Sequence, residues 1–171
     1  FADNKMRYID CCDANFGIYQ KRDHKLATKL KETTLEKGFP ERIRPAWAKF
    51  SSDKIIPIAK ELQSADLLRA VTLAVQSLDE TTLEIVKRAN IKFDEFSELT
   101  ETFRLNGIPT YTELIMGMPG ETLESWKQGL ETLVSDTKIG SIYIYNCGVF
   151  QNAPMNNPLY LKHHDIKKIR S

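Results

Sequence analysis

An α/β chain folded as part of a TIM-like (β/α) barrel, an open parallel sheet of about five strands with helices outside, is predicted by three observations. Runs with period-two apolar spacing alternate with runs of helical spacing along the 171 residues, with no linker-like break and no repeat. The strand runs are separated mostly by single helices, which implies right-handed βαβ units and a parallel sheet. Each strand run also ends in small or polar residues, the composition expected where a barrel's strands present a ligand face. An open doubly wound sheet is the competing architecture. The G-x-G-x-x-G fingerprint is absent, and Gly120 is followed by Glu-Thr instead of the Lys-Ser/Thr of a P-loop, which lowers the dinucleotide and nucleotide-triphosphatase readings.

The first strand is expected over Met6 to Cys11, closing on Asp13-Ala-Asn-Phe-Gly17. A helix from Asp23 to Glu36 follows from the spacing of Leu26, Leu30 and Leu35, and Gly38-Phe-Pro40 stops it. Ile43 to Phe50 is the second strand. Ser51, Ser52 or Asp53 caps the helix through Leu62, with Pro57 placed near its first turn, where proline is tolerated. Arg69 to Val75 reads as a short third strand ending at Gln76-Ser77. A helix from Asp79 or Glu80 to Ala89 comes next, then another from Phe93 to Asn106 that Gly107 ends. Pro109 to Met116 is the fourth strand, and Gly117, Pro119 and Gly120 form the turn into a helix that Glu121 or Thr122 caps. That helix, Leu123 to Val134, carries Leu123, Trp126 and Leu130. Ile139 to Tyr145, nearly all β formers, is the fifth strand. The barrel part is drawn as residues 1–158 and a basic tail as 159–171, for which a helix and disorder are both left open.

Composition excludes several partner classes. With 24 basic and 23 acidic residues the formal charge is +1, which argues against nucleic acid or an anionic membrane as the main partner. No apolar run approaches the ~18 residues a bilayer span needs, and the start is too mixed for a signal peptide. Three cysteines, two of them adjacent, make no disulfide framework and fit a reducing, cytoplasmic setting. The chain opens on Phe-Ala-Asp-Asn-Lys without an initiator methionine and is in a strand almost at once, so we expect a segment of a longer protein.

The strand ends hold the candidate chemistry. Asp13, Asn15 and Gly17 set a carboxylate, an amide and a glycine on one turn, able to receive an ammonium group or to form an Asx turn before the next helix. Gln76 can bond a ligand or tie loops together. Arg88, expected in the helix that follows, is either a solvated charge or a fork for a carboxylate. Glu113 interrupts the apolar fourth strand and either lines the cavity or pairs with a helix. Tyr143 and Tyr145 at period two favour core, with Asn146 beside them at the strand's end. Cys11 and Cys12 are read as strand residues, one facing in and one out. Neither they nor Cys147 has metal-site spacing, His163-His164 sits alone in the tail, and no nucleophile–histidine–acid arrangement can be drawn.

Taken in order, Asp10-Cys-Cys-Asp-Ala-Asn-Phe-Gly17, Leu73-Ala-Val-Gln-Ser-Leu78 with Lys87-Arg88, and Glu113-Leu-Ile-Met-Gly-Met-Pro-Gly-Glu-Thr122 resemble the core of radical S-adenosylmethionine (SAM) enzymes. The branch most similar is the one that often carries a cobalamin-binding domain ahead of the barrel, and the resemblance runs from about Tyr8 to Pro158. It implies a partial barrel of usually six strands and a fragment lacking the first of them. It places Asp13, Asn15 and Phe16 at the SAM amine, and Gln76 and Ser77 at the ribose or carboxylate. Arg88 falls on the methionine carboxylate, Ile115, Gly117 and Gly120 beneath the adenine, and Asn146 and Cys147 beside it.

The resemblance also implies a 4Fe-4S cluster held by a Cys-x-x-x-Cys-x-x-Cys loop, which reduces SAM to start radical chemistry. That loop is not in this sequence and is expected upstream of residue 1. Cobalamin is an optional further cofactor of that branch, and an electron donor such as flavodoxin or ferredoxin is implied as partner. With the cluster loop elsewhere, this fragment is expected to hold no cofactor stably and to be inactive alone. Its first strand becomes an exposed edge through which copies could self-associate. Two other readings stay open at this stage: a non-radical (β/α)-barrel enzyme binding a phosphate or flavin, and a non-catalytic barrel scaffold.

Overall fold

A computed structural model describes residues 1–48 and 52–169. The last residues of the expected Ile43–Phe50 strand, and Ser51 as a cap, lie outside that range. Two parallel ladders carry the fold. β1 (Tyr8–Asp10) pairs with β2 (Arg42–Arg44), with Tyr8 opposite Arg42 and Asp10 opposite Arg44. β3 (Val71–Thr72), β4 (Thr110–Met116) and β5 (Ser141–Asn146) form the second, in that order. α1 (Gln20–Lys37) joins β1 to β2 and α2 (Ser52–Gln63) joins β2 to β3. α3 (Glu80–Ile85) and α4 (Phe93–Leu105) both lie between β3 and β4, α5 (Leu123–Asp136) between β4 and β5, and α6 (Pro158–His163) follows.

The five strands and their parallel sense are those expected, but the single continuous ladder is not. Between the two sheets the chain makes a backbone bond from the Ile43 N–H to Leu67, which precedes β3. β3 itself is shortened from the expected Arg69–Val75 by a bulge. Thr72 lies opposite Tyr111, so unbroken pairing would set Val75 opposite Leu114; Gln76 takes that place instead. One extra residue has entered the β3 line, and the Thr112 hydroxyl occupies the Leu73 carbonyl that the ladder would have used.

One core packs the helices against one face of the strands. Ile43, Val71, Leu73, Val75 and Leu114 meet Ile55, Ile58 and Leu62 of α2, Phe96 and Phe103 of α4, and Leu133 of α5. By strand alternation the opposite face carries Asp10, Arg44, Tyr111, Glu113, Ile115 and Tyr143, none of them fully buried. Arg44 and Asp10 form an ion pair there at 2.9 Å, and Tyr111 and Tyr143 meet edge to face at 5.2 Å. Glu113 is therefore on the open face and makes no ion pair with a helix among the described residues.

Helix faces departed from the leucine spacing. α1 buries Asp23, Ala27 and Leu30, while Leu26 and Leu35 are exposed. Helical spacing permits either stripe; packing against α2, whose inner face is Ile55, Ile58, Ala59 and Leu62, needs the one with the small Ala27. Gly38 ends α1 in the left-handed conformation, with its N–H on Thr34. Pro57 falls inside α2 instead of at its start. Thr122 caps α5 in a reciprocal pair with Ser125, and Leu133 replaces the exposed Leu123 as that helix's buried anchor. Arg88 is not in a helix, because α3 stops at Ile85. The tail forms α6 from Pro158, across the expected border at residue 158.

Candidate functional site

Gln76, Gly117 and Asn146 follow or end the three strands of one parallel ladder, which sets them on one edge, and Asp13 follows β1 at the same end of its own pair. The loop after β1 is fixed by backbone bonds from Phe16 N–H to Ala46 and from Ala48 N–H to Phe16. Phe16 is buried edge to face with Trp47, at 5.6 Å between centroids. Side chain and backbone are thus spent on packing, and Phe16 anchors the loop instead of presenting a group to a ligand.

Asp13 forms the Asx turn, accepting from Asn15 N–H at 3.0 Å, and also accepts from Arg22 Nη2 at 2.5 Å. The Asn15 N–H and then the Arg22 guanidinium hold its carboxyl below the usual range, so it is anionic at neutral pH. Asn15 is exposed beside it. Arg22 reaches Asp23 as well, through Nε at 2.6 Å, and Asp23 accepts from Gly17 N–H at 2.8 Å. Asp23 was expected only as the first residue of a helix, and Arg22 was given no role.

At the bulge, Gln76 adopts a φ of +60 and is 9% exposed, with its Oε1 buried and without a hydrogen-bond partner among the described residues. Ser77 N–H closes a three-residue turn onto Val75 at 2.7 Å. Asn90 Nδ2 donates to both the Val75 and the Ser77 carbonyls, each at 2.7 Å. Arg88, half-buried in the loop after α3, also has a buried Nε without a partner among the described residues.

The β4–α5 turn is gathered by Glu121. Its carboxylate accepts from Gly117 N–H at 2.7 Å and from Ser77 Oγ at 3.3 Å, tying two of the predicted loops together. Gly117 has a φ of +81, and a Cβ there would meet nothing within 4 Å, so its surface is open. Gly120 differs: it is exposed, but a Cβ would stand 2.4 Å from Ile85 Cδ1, so the turn sits close against α3 there. Ile115 lies half-buried on the open face, its N–H bonded to Gln76.

Asn146 is exposed at the end of β5, opposite Met116. Cys147 is half-buried with Sγ 3.9 Å from Met155 Sδ; burial, then the Glu121 charge, pushes its thiol up. Cys11 lies just beyond β1 against the core and Cys12 is exposed. Among the described residues no three His, Cys, Asp or Glu side chains gather as a metal site. A concavity of about 360 Å³ lined by Tyr8, Glu41, Arg42, Asp66 and Arg69 lies at the other end, beside the start of β1 and β2, away from every predicted site residue.

Sequence and structure comparisons bear on the family and the fold. The family described as the Radical SAM superfamily matches residues 22–133, more than half of the chain. The cobalamin-dependent radical SAM methyltransferase TokK of Streptomyces tokunonensis is 36% identical over 169 residues, 99% of this chain and 25% of its own length. The 2-(S-pantetheinyl)-carbapenam-3-carboxylate methyltransferase of Streptantibioticus cattleyicolor is 35% identical over the same span, again 25% of its length. The chain therefore spans about a quarter of these curated relatives. Among solved structures, the radical SAM methyltransferase TsrM of Kitasatospora setae, with cobalamin and a 4Fe-4S cluster bound, superposes with a TM-score of 0.60 at 18% identity. That superposition covers 91% of this chain and 28% of TsrM. Coproporphyrinogen III oxidase (HemN) of Escherichia coli gives 0.53 at 12%, covering 92% and 46%. At those identities the structures speak for the fold alone: the open, partial (β/α) barrel. The chain belongs to the radical SAM superfamily.

Proposed function

We propose that this chain is the SAM-binding part of the barrel of a cobalamin-dependent radical SAM methyltransferase. The observation that carries the SAM assignment is two buried, unsatisfied polar atoms, Gln76 Oε1 at the end of the β3 line and Arg88 Nε in the loop after α3 that Asn90 ties to it. Leaving such groups unpaired costs about 1–3 kcal/mol each, and a ligand with hydroxyl, amine and carboxylate groups would recover it. SAM has all three, together with a flat adenine for the open surface at Gly117. In this reading Gln76 accepts from the ligand, Arg88 donates to its carboxylate, and the Asp13 anion attracts its amine. Ser77, through Glu121, keeps the two loops in register, and Asn15, Asn146 and Cys147 border the edge. The methyltransferase assignment rests on the two relatives that align along 99% of the chain, and the cobalamin assignment on the first of them, TokK.

A 4Fe-4S cluster does not fit the residues present, since the three cysteines are dispersed or adjacent and Cys147 is held toward the thiol form. The cluster loop and a cobalamin-binding region are assigned to other parts of the parent polypeptide, and a small electron-transfer protein to its reduction. Three free cysteines fit a reducing cytoplasm, and no helix of the described residues is long and apolar enough to cross a membrane.

The test is SAM affinity in the full-length parent. Arg88→Ala is expected to weaken it about tenfold or more through the lost charge-assisted bond. Gly117→Val should also weaken it, by filling the open surface. Unchanged affinity in both would remove the assignment.

We also infer that the isolated chain self-associates. β1 offers only three residues, bordered by the Arg7–Glu41 and Asp10–Arg44 ion pairs. β5 offers six, with Tyr143, Ile144 and Tyr145 all exposed, and no partner on its far side among the described residues. Association is therefore expected through β5 more than through the β1 edge that the sequence pointed to. Light scattering across a concentration series checks it: a monomer at every concentration contradicts it.

A further inference from the structure

We propose that Asn90 is a positioning residue for the cosubstrate: it holds the β3 bulge in the one shape that turns Gln76 toward the ligand. This rests on the SAM-binding reading above and adds to it a residue that makes no ligand contact of its own.

The bulge is a strained arrangement. Gln76 carries a φ of +60, a region that residues with a Cβ seldom occupy, at the centre of a three-residue turn closed by Ser77 N–H on Val75. The backbone bonds of Gln76 fix it to β4, its N–H on Glu113 and its carbonyl under Ile115 N–H. Those bonds set where Gln76 is, but they leave the flanking peptides to choose between the bulged and the regular register. Asn90 decides that choice. Its one amide nitrogen lies 2.7 Å from the carbonyl oxygens on either side of Gln76, which brings those oxygens within about 5.4 Å (twice 2.7 Å) of each other, whereas two residues of regular strand would set them about 6.6 Å apart.

The cost of the turn is offset locally, and the benefit appears in the side chain. Gln76 is nine-tenths buried, yet its Oε1 has no partner among the described residues. A buried acceptor fixed in advance binds a donor without paying to be ordered, which is the gain of preorganisation. Asn90 is also two residues past Arg88, whose buried Nε is likewise unpartnered, so the same anchor restrains the loop bearing the second open group.

The experiment uses the full-length parent protein, with SAM affinity measured by anaerobic equilibrium dialysis beside KM and kcat. Asn90→Ala removes both donors; Asn90→Asp keeps the shape but faces two carbonyls with acceptors. Both are expected to raise the SAM Kd and KM about 10- to 100-fold, while kcat at saturating SAM changes by less than about threefold. Gln76→Ala should produce a similar loss. The double variant Asn90→Ala/Gln76→Ala should be no weaker than Gln76→Ala alone, because the two act through one group.

A fall in melting temperature with unchanged SAM Kd in the folded protein would make Asn90 merely structural and overturn the proposal. So would full additivity in the double variant. If Gln76→Ala leaves SAM affinity intact while Arg88→Ala lowers it, the inference fails and the SAM reading survives. If the wild-type parent shows no SAM affinity, both fall.

Discussion

Purified alone, the 171-residue chain is expected to be colourless, to bind SAM weakly if at all, and to leave it intact under reducing conditions. A longer form of the parent that includes a Cys-x-x-x-Cys-x-x-Cys loop is expected to take up iron, turn brown on anaerobic reconstitution, and release 5′-deoxyadenosine or S-adenosylhomocysteine. The difference is all or none. Three thiolates are needed to hold a four-iron cluster, and Cys11, Cys12 and Cys147 are neither grouped nor, for Cys147, inclined to ionise. Affinity should fall with the cluster absent, because the amine and carboxylate of SAM must then leave water for Asp13 and Arg88 alone. Asp13 already serves Asn15 and Arg22, which reduces what it can offer. Iron analysis, visible absorbance and chromatography of the SAM products decide it. A reconstituted extended protein that produces neither product would overturn the enzymatic assignment.

What the sequence made legible was periodicity and punctuation. β4 and β5 were placed within a residue or two, because Tyr111, Leu114 and Ile115 in the one and the unbroken run Ile142 to Tyr145 in the other leave little choice. Gly38 and Thr122 marked helix ends through local backbone chemistry that needs no tertiary context. The third strand failed for the opposite reason. Val71, Leu73 and Val75 alternate as a strand should and all three are buried, but the hydrogen-bond register slips by one residue after Leu73. Alternation reports which face is apolar and is silent about which carbonyl is bonded. The buried stripe of α1 was missed similarly: the leucines were conspicuous, while the buried small Ala27 and charged Asp23 were not.

The candidate site was legible as an edge, since its turn residues belong to three motifs in a fixed order. Its supports were not. Glu121 was read as a helix cap but clips Gly117 to Ser77, and Asn90 drew no notice although it secures the turn around Gln76. Glu121 reaches Ser77 across 44 residues and Asn90 reaches backbone carbonyls 13 and 15 residues away, so neither leaves a spacing signature. Phe16 packs against Trp47, and Gly120 lies close to Ile85 on one side while staying exposed on the other, because the loops that carry them must also be seated on the core. Presenting a glycine turn to a ligand and fixing it in place are separate tasks, and here adjacent residues divide them.

Asp23→Ala is expected to be the most damaging single substitution near the site. Asp23 is 0% exposed, yet it is a carboxylate at the start of α1, where the helix dipole favours negative charge. One oxygen accepts the Gly17 N–H at 2.8 Å and the other meets Arg22 Nε at 2.6 Å. Alanine leaves the Gly17 N–H without an acceptor in a buried turn with a φ of +100, and a cavity beside it. Losing a buried acceptor and its partner's satisfaction together should cost about 2–4 kcal/mol, or roughly 5–15 °C in melting temperature for a domain of this size. Arg22→Ala removes the exposed half of the pair but leaves the Gly17 bond in place, and should cost less than Asp23→Ala. Asp23→Asn keeps an acceptor for Gly17 and should fall between the two. Thermal unfolding followed by circular dichroism gives the order directly. If Arg22→Ala proves as damaging as Asp23→Ala, the ion pair, and not the bond to Gly17, is what holds the loop that carries Asp13.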